Sequence, residues 1–196
     1  MSDGIIERIN ELFNSRKARK TFLKLRFPLI LAVFILILPL LDKTWFLPGL
    51  AVSVLGEVLQ LWCFATIKTK KRLTTQGPYM FVRNPMYLGR FLLVFGVLMM
   101  TGNLLILLAC VIVYYFYMTN RVKREEKLLS ELFGSDYDDY CRQVRPYIPT
   151  INSYFDSGGL FRFDAESFAQ NHGMRNMVLV GVCYAVLFIF TFVKPL

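Results

Sequence analysis

Histidine is almost missing from this chain: His172 is the one imidazole in 196 residues. No Ser/His/Asp arrangement for nucleophilic catalysis can be assembled from it. Cysteine is scarce as well. Cys63, Cys110, Cys141 and Cys183 show neither a CxxC pair nor zinc spacing, so neither a disulfide framework nor a metal site is suggested. No P-loop, no GxGxxG and no internal repeat are found. Acidic residues are outnumbered, 14 against 23 Lys and Arg, which leaves a formal charge of +9.

What is abundant is apolar surface. Hydrophobic residues make up 55% of the chain, and the mean hydropathy is +0.45. They fall in five runs, at 27–41, 45–67, 86–100, 104–118 and 177–193. A helix needs about 20 apolar residues to cross the hydrocarbon core. The second and fifth runs reach that length, and the others need help from their flanks. The expected fold is therefore all-α: a polytopic integral membrane protein with about five transmembrane helices, two hairpins plus a C-terminal span.

The charge is distributed to match. Basic residues bunch at 16–26, 68–72 and 121–127, whereas the connections 42–44 and 101–103 carry almost none. By the positive-inside rule the N-terminus, the central loop and segment 121–173 face the cytoplasm, with the C-terminal tail outside. Anionic lipid headgroups account for the surplus charge, and nucleic acid is not an expected partner. The host membrane would be the plasma or inner membrane in a prokaryote and the endoplasmic reticulum in a eukaryote.

Along the chain, residues 1–26 form an amphipathic cytoplasmic segment in which Ile5, Ile6, Ile9, Leu12 and Phe13 recur at helical spacing. A cleaved signal peptide is not expected, because the charged region is long and no small-residue cleavage site follows the apolar run. Within the second run sit Glu57 and, three residues on, Gln60. A carboxyl group at that depth should face other helices or a cavity, either as a structural pair or in binding. Residues 150–173 are polar and aperiodic and read as a cytoplasmic linker, His172 included, before a last transmembrane helix at 174–196.

Two stretches hold most of the chemistry. The first is LTTQGPYMFVRNPMYLGR, residues 73–90. Gly77-Pro78 and Asn84-Pro85 are turn signals, and Pro85 suits the first turn of a helix, where its missing N–H costs nothing. Gly89 and Gly96 give that helix two side-chain-free positions for close approach. Tyr79, Arg83 and Tyr87 supply a cation, hydroxyls and aromatic faces, a set that also fits an interfacial anchor. In the second stretch the fourth helix is predicted to continue past the membrane through NRVKREEKLLSELFG. Arg121 and Glu125 share a face at i, i+4, which Leu128 and Leu132 extend, and Gly134 is the expected stop. Ser135 or Asp136 is expected to cap a further short helix before Pro146 and Pro149. By itself the Arg121–Glu125 spacing also fits an ordinary exposed helix pair.

Taken together, GPYxxVRNPMYLG, a hydrophobic hairpin and RxxxEExLLxxLFGxxYxxYxxxVxxxIP resemble the isoprenylcysteine carboxyl methyltransferase family. The same pattern marks the wider group of membrane methyltransferases that includes phospholipid N-methyltransferases. The likeness covers roughly residues 50–150 and implies a membrane methyltransferase core at 27–149. It implies S-adenosylmethionine as cofactor, held at the cytosolic membrane face, and a lipophilic or prenylated acceptor. Position by position, the implied cofactor residues are Arg72, Leu73, Thr74, Tyr79, Asn84, Pro85, Met86, Tyr87 and Glu125. Arg121 matches the family arginine that meets the substrate carboxylate. Gly77, Arg83 and Gly89 match through shape and anchoring. Asn84 departs from the pattern, since the family usually has histidine there, and an amide cannot titrate near neutral pH.

That departure bears on the acceptor. A carboxylate is already ionised at pH 7 and needs no base, so carboxyl methylation is the expected reaction. An amine must first lose a proton, and Glu126 or a lipid phosphate would then have to accept it. N-methylation of an aminophospholipid is thus the second expectation. A nicotinamide-dependent reductase of the sterol-reductase kind and an inactive membrane scaffold are the remaining alternatives.

Overall fold

A computed structural model describes residues 15–68, 72–150, 159 and 163–193. The amphipathic positions Ile5 to Phe13 lie outside the described residues, as does most of the first half of the 150–173 segment. Among the described residues there is no β-strand, as the apolar runs imply.

The first helix, α1 (Arg16–Ile37), ends in a 3-10 turn at Leu38–Leu40. It passes through position 26 without a break, so the basic segment and the first apolar run are one helix; Pro28 lies within it. α2 (Lys43–Thr66) returns antiparallel. It opens on Asp42, whose carboxylate accepts from the Thr44 N–H (2.7 Å) and the Trp45 N–H (3.3 Å). α3 (Pro85–Met99) and α4 (Leu104–Phe133) make the second hairpin. Its turn is closed by Gly102 at φ +62° and by Asn103, which caps α4 at Leu105 and Ile106. The two hairpin turns are tied together where the Asp42 N–H donates to the Met100 carbonyl at 2.9 Å. Beneath them Phe46, Met100 and Leu187 form a buried cluster.

α2, α4 and the last helix are long and apolar enough to cross a membrane, while residues Phe27–Leu40 of α1 and its turn, and α3, are shorter apolar stretches. α4 has 30 residues, about 45 Å at 1.5 Å per residue, against a hydrocarbon core of about 30 Å. Its second half therefore projects beyond any bilayer its first half crosses, as expected from the sequence. It stops at Gly134, φ +52°, also as expected. α5 (Ser135–Gln143) follows at once. Neither Ser135 nor Asp136 caps it by a side-chain bond; the N-cap position is Gly134 itself, because the chain turns too sharply to leave a residue between the helices.

α2 and α3 are in backbone contact. A Cβ added at Gly96 would lie 2.3 Å from the Ser53 nitrogen, and one at Gly56 would lie 2.4 Å from the Leu93 nitrogen. The glycines whose bareness stood out in the sequence are met by a matching small-residue row on α2, Gly49, Ser53 and Gly56. This contact sets where α3 starts, and so where Asn84 to Tyr87 stand.

The segment expected to be a linker contains a short helix, α6 (Ala165–Gln170). Asp164 caps it through the Ser167 N–H at 3.0 Å. Asn171 then donates to the carbonyls of Phe64 and Ile67 at the end of α2. α7 (Gly173–Phe188), continued by a π turn at Ile189–Val193, packs along α2. Asn176 donates to both oxygens of Glu57, at 2.8 and 3.0 Å, and Tyr184 shares a 2.8 Å hydrogen bond with Ser53. Glu57 is therefore a structural pair. An apolar groove opens between α1, α3 and α7, with Val33, Leu93, Val97 and Tyr184 among its walls.

Candidate functional site

At the end of the bundle opposite the hairpin turns lies a cleft enclosing about 940 Å³, its open mouth included. The segment after α2, the loop before α3, the first turn of α3, the projecting half of α4 and α5 all contribute to it.

The loop is shaped by Gly77, at φ +61°, which begins a 3-10 turn over Gly77–Met80. A side chain there would strike Thr66. The loop is pinned from outside: the Arg83 N–H donates to the Arg145 carbonyl (3.0 Å), the Thr150 N–H to the Phe81 carbonyl (2.9 Å). From below, the Tyr140 hydroxyl donates to the Tyr79 carbonyl at 2.7 Å. Tyr140 belongs to a second core with Tyr137 and Val144, against which Leu73, Leu129 and Phe133 pack. Tyr79 is buried in this frame, and burial holds its phenol well above its ordinary pKa.

Of the residues implied by the resemblance, Arg72, Leu73, Thr74, Tyr79, Asn84, Met86, Tyr87 and Glu125 all line the cleft. Pro85 does not; it is fully buried as the first residue of α3, behind the lining. Arg121 also stands outside the lining, one turn up α4, but is joined to it by a hydrogen bond. Its Nε donates to the Tyr87 hydroxyl at 3.1 Å, and that hydroxyl donates to Glu125 Oε2. Arg121 and Glu125 thus make no direct ion pair; the tyrosine oxygen stands between them. Tyr87 is fixed in turn by the Tyr114 hydroxyl, which donates to its backbone carbonyl at 2.7 Å.

Asn84 occupies the N-cap position of α3 without capping it by a side-chain bond. Its amide points elsewhere, to Glu126 Oε1 (3.4 Å) and the Pro146 carbonyl (3.5 Å). Glu126 also pairs with Arg83 Nη2 at 3.3 Å. The carboxylate that sequence reasoning offered as a proton acceptor is therefore committed to two donors.

Sequence reasoning missed Ile67, Lys68, Leu129, Phe133, Tyr137 and Tyr140 as parts of this lining, and it gave Arg83 an anchoring role only. The i, i+3 spacing of the two tyrosines on α5 was the available signal. The cleft is thus two-faced. Glu125, Tyr87, Arg83 and Asn84 give a polar wall, while Leu128, Leu129, Leu132 and Phe133 give an apolar one. An ionic head and a flat or greasy body can be held side by side there.

Comparison with known proteins agrees with this geometry. The model of the phospholipid methyltransferase family matches residues 45–136, from the first turn of α2 to the start of α5. A nickel-cobalt-cadmium resistance protein of Alcaligenes xylosoxydans is 29% identical over 137 residues, 66% of this chain and 63% of the relative. The protein-S-isoprenylcysteine O-methyltransferase B of Arabidopsis thaliana is 28% identical over 132 residues, 60% of this chain and 67% of the relative. The protein-S-isoprenylcysteine O-methyltransferase of Schizosaccharomyces pombe is 34% identical over 93 residues, 45% of this chain but 39% of the relative. The chain thus spans between about two fifths and two thirds of these relatives. With the all-α membrane fold and the cleft assembled from both motif stretches, the chain is similar to the isoprenylcysteine carboxyl methyltransferases, within the wider group of membrane methyltransferases.

Proposed function

We propose that this protein transfers a methyl group from S-adenosylmethionine to a lipophilic acceptor at the cytosolic membrane face, and that the acceptor group is the carboxylate of an isoprenylcysteine-like compound. The observation that carries this reading is the hydrogen-bonded row Arg121–Tyr87–Glu125 beside the cleft. It sets a cation and an anion on either side of one hydroxyl. The activity for which the plant and yeast relatives are named points to the same acceptor.

The donor set fits the cofactor. Glu125 keeps acceptor capacity after accepting the Tyr87 hydrogen bond, enough to receive an ammonium group. The apolar wall formed by α4 suits an adenosyl body. When bound, the cofactor supplies a sulfonium-activated methyl group. The residues around it then have to align the acceptor and keep water away. Arg121 keeps its terminal nitrogens for the acceptor carboxylate, because its Nε is already spent on Tyr87. No residue has to remove a proton from a carboxylate. Asn84 can therefore stand where the family has histidine without loss of the reaction.

N-methylation of an aminophospholipid is the second reading, favoured by the family model that matches α2 to α5. Here Glu126, against its existing bonds to Arg83 and Asn84, or a lipid phosphate would have to accept the proton. The test is transfer of labelled methyl from S-adenosylmethionine by detergent-purified protein to a farnesylated cysteine carrying a free carboxylate, beside an aminophospholipid. Base-labile label on the prenylcysteine is the expected outcome. Label on the lipid amine alone would establish the second reading and refute the first.

A further inference from the structure

One polar atom in the site has no partner. The Nε of Arg83 is buried, and no hydrogen-bond acceptor reaches it. The rest of that side chain is well placed: Nη2 pairs with Glu126, and the side chain is 13% exposed. Its backbone N–H is tied to the Arg145 carbonyl, so the residue is held at both ends. A buried donor left empty is rare in native structures and calls for a ligand, an ion or a water. Arg83 is also part of the lining of the cleft that holds Glu125.

The other cations of this lining are differently placed. Lys68 pairs with Asp164 at 3.3 Å, and Arg72 is exposed to solvent. A solvated cation gains little from one more anion, whereas a desolvated guanidinium gains much. The amino-acid head of S-adenosylmethionine carries an ammonium and a carboxylate on one carbon. Glu125 answers the first of these, and nothing described so far answers the second.

We propose that Arg83 binds the α-carboxylate of S-adenosylmethionine through its Nε–H, opposite the ammonium site at Glu125. This rests on the cofactor assignment made above. Glu126 is then a positioning residue: by holding Nη2 it leaves Nε without a partner in the protein. Arg83 and Glu125 together recognise a zwitterion, so the site selects an amino-acid-headed sulfonium over one that has lost its carboxylate.

Binding of S-adenosylmethionine and of decarboxylated S-adenosylmethionine to purified protein tests this directly, with calorimetry as the readout. Wild type should prefer the intact compound by about 10- to 100-fold, the range for a hydrogen bond to a charged group. Arg83→Gln should lose that preference by weakening the intact compound alone. Arg83→Lys keeps a charge opposite Glu126 and covers the case in which the glutamine variant does not fold. It too should bind both compounds alike, because one ammonium leaves no donor at the Nε position. Equal weakening of both compounds by either variant would overturn the assignment, as would loss of the preference in Arg72→Gln instead. Absence of any binding of the intact compound to wild type would refute the cofactor reading, and this proposal with it.

Discussion

Tyr87 has the most connected hydroxyl of the site. It accepts from Arg121 and donates to Glu125, and the backbone carbonyl of the same residue accepts a hydrogen bond from the Tyr114 hydroxyl. Removing the oxygen would free Arg121 and Glu125 to meet directly across one turn of α4, where i, i+4 neighbours of opposite charge attract. The ion pair would then take up the anion proposed for the cofactor and the cation proposed for the acceptor. Tyr87→Phe is therefore expected to weaken S-adenosylmethionine binding by about 10-fold and to raise the acceptor KM as well. Calorimetry and steady-state kinetics would check the two effects separately. A variant that changed neither would show that the row is incidental. At this scale the residue types were legible in the sequence, but their partners were not. Spacing put Arg121 and Glu125 on one face, yet the oxygen between them arrives from a different helix.

At the scale of the elements, the α2–α3 pair sets the geometry of everything near Asn84. The bare positions Gly89 and Gly96 were legible, whereas the answering row on α2 was not, because helix periodicity names a face and never its partner. Gly96→Ala puts a methyl group 2.3 Å from the Ser53 nitrogen. Two rigid helices must then separate, at about 1–3 kcal/mol for overpacking. A lower melting midpoint in detergent and a weaker cofactor affinity are expected together, since α3 carries Tyr87. α7 is fastened differently. Glu57 is 7% exposed, and its two oxygens share one amide, that of Asn176. Asn176→Leu would leave a buried carboxyl group without a donor, a loss of about 1–3 kcal/mol. A thermal unfolding scan of that variant should show the drop, and Glu57→Gln in the same background should recover part of it. The short helix α6 escaped the sequence reading because its six residues are too few to show a period. Its docking depends on Asp164 and Asn171 bonding to the end of α2 rather than on apolar repeats.

The described residues of the molecule form two cores set end to end. One, around Phe46, Met100 and Leu187, lies under the hairpin turns; the other, around Tyr137, Tyr140 and Val144, lies under the cleft. Long apolar runs announced the first. The second is built from tyrosines and a polar-flanked helix, so composition alone could not find it, although the motif resemblance had marked its span. Between the two runs α4, a membrane-spanning helix in its first half and a cleft wall in its second. That single continuous element is what places the cleft at the edge of a lipid-facing bundle. The central claim is that this cleft holds S-adenosylmethionine through Glu125. It is tested most directly by equilibrium binding of S-adenosylmethionine and of NADPH to detergent-purified protein, wild type beside Glu125→Ala. Saturable S-adenosylmethionine binding that the variant loses is the predicted result. Binding of NADPH alone, or S-adenosylmethionine binding unchanged in Glu125→Ala, would contradict it.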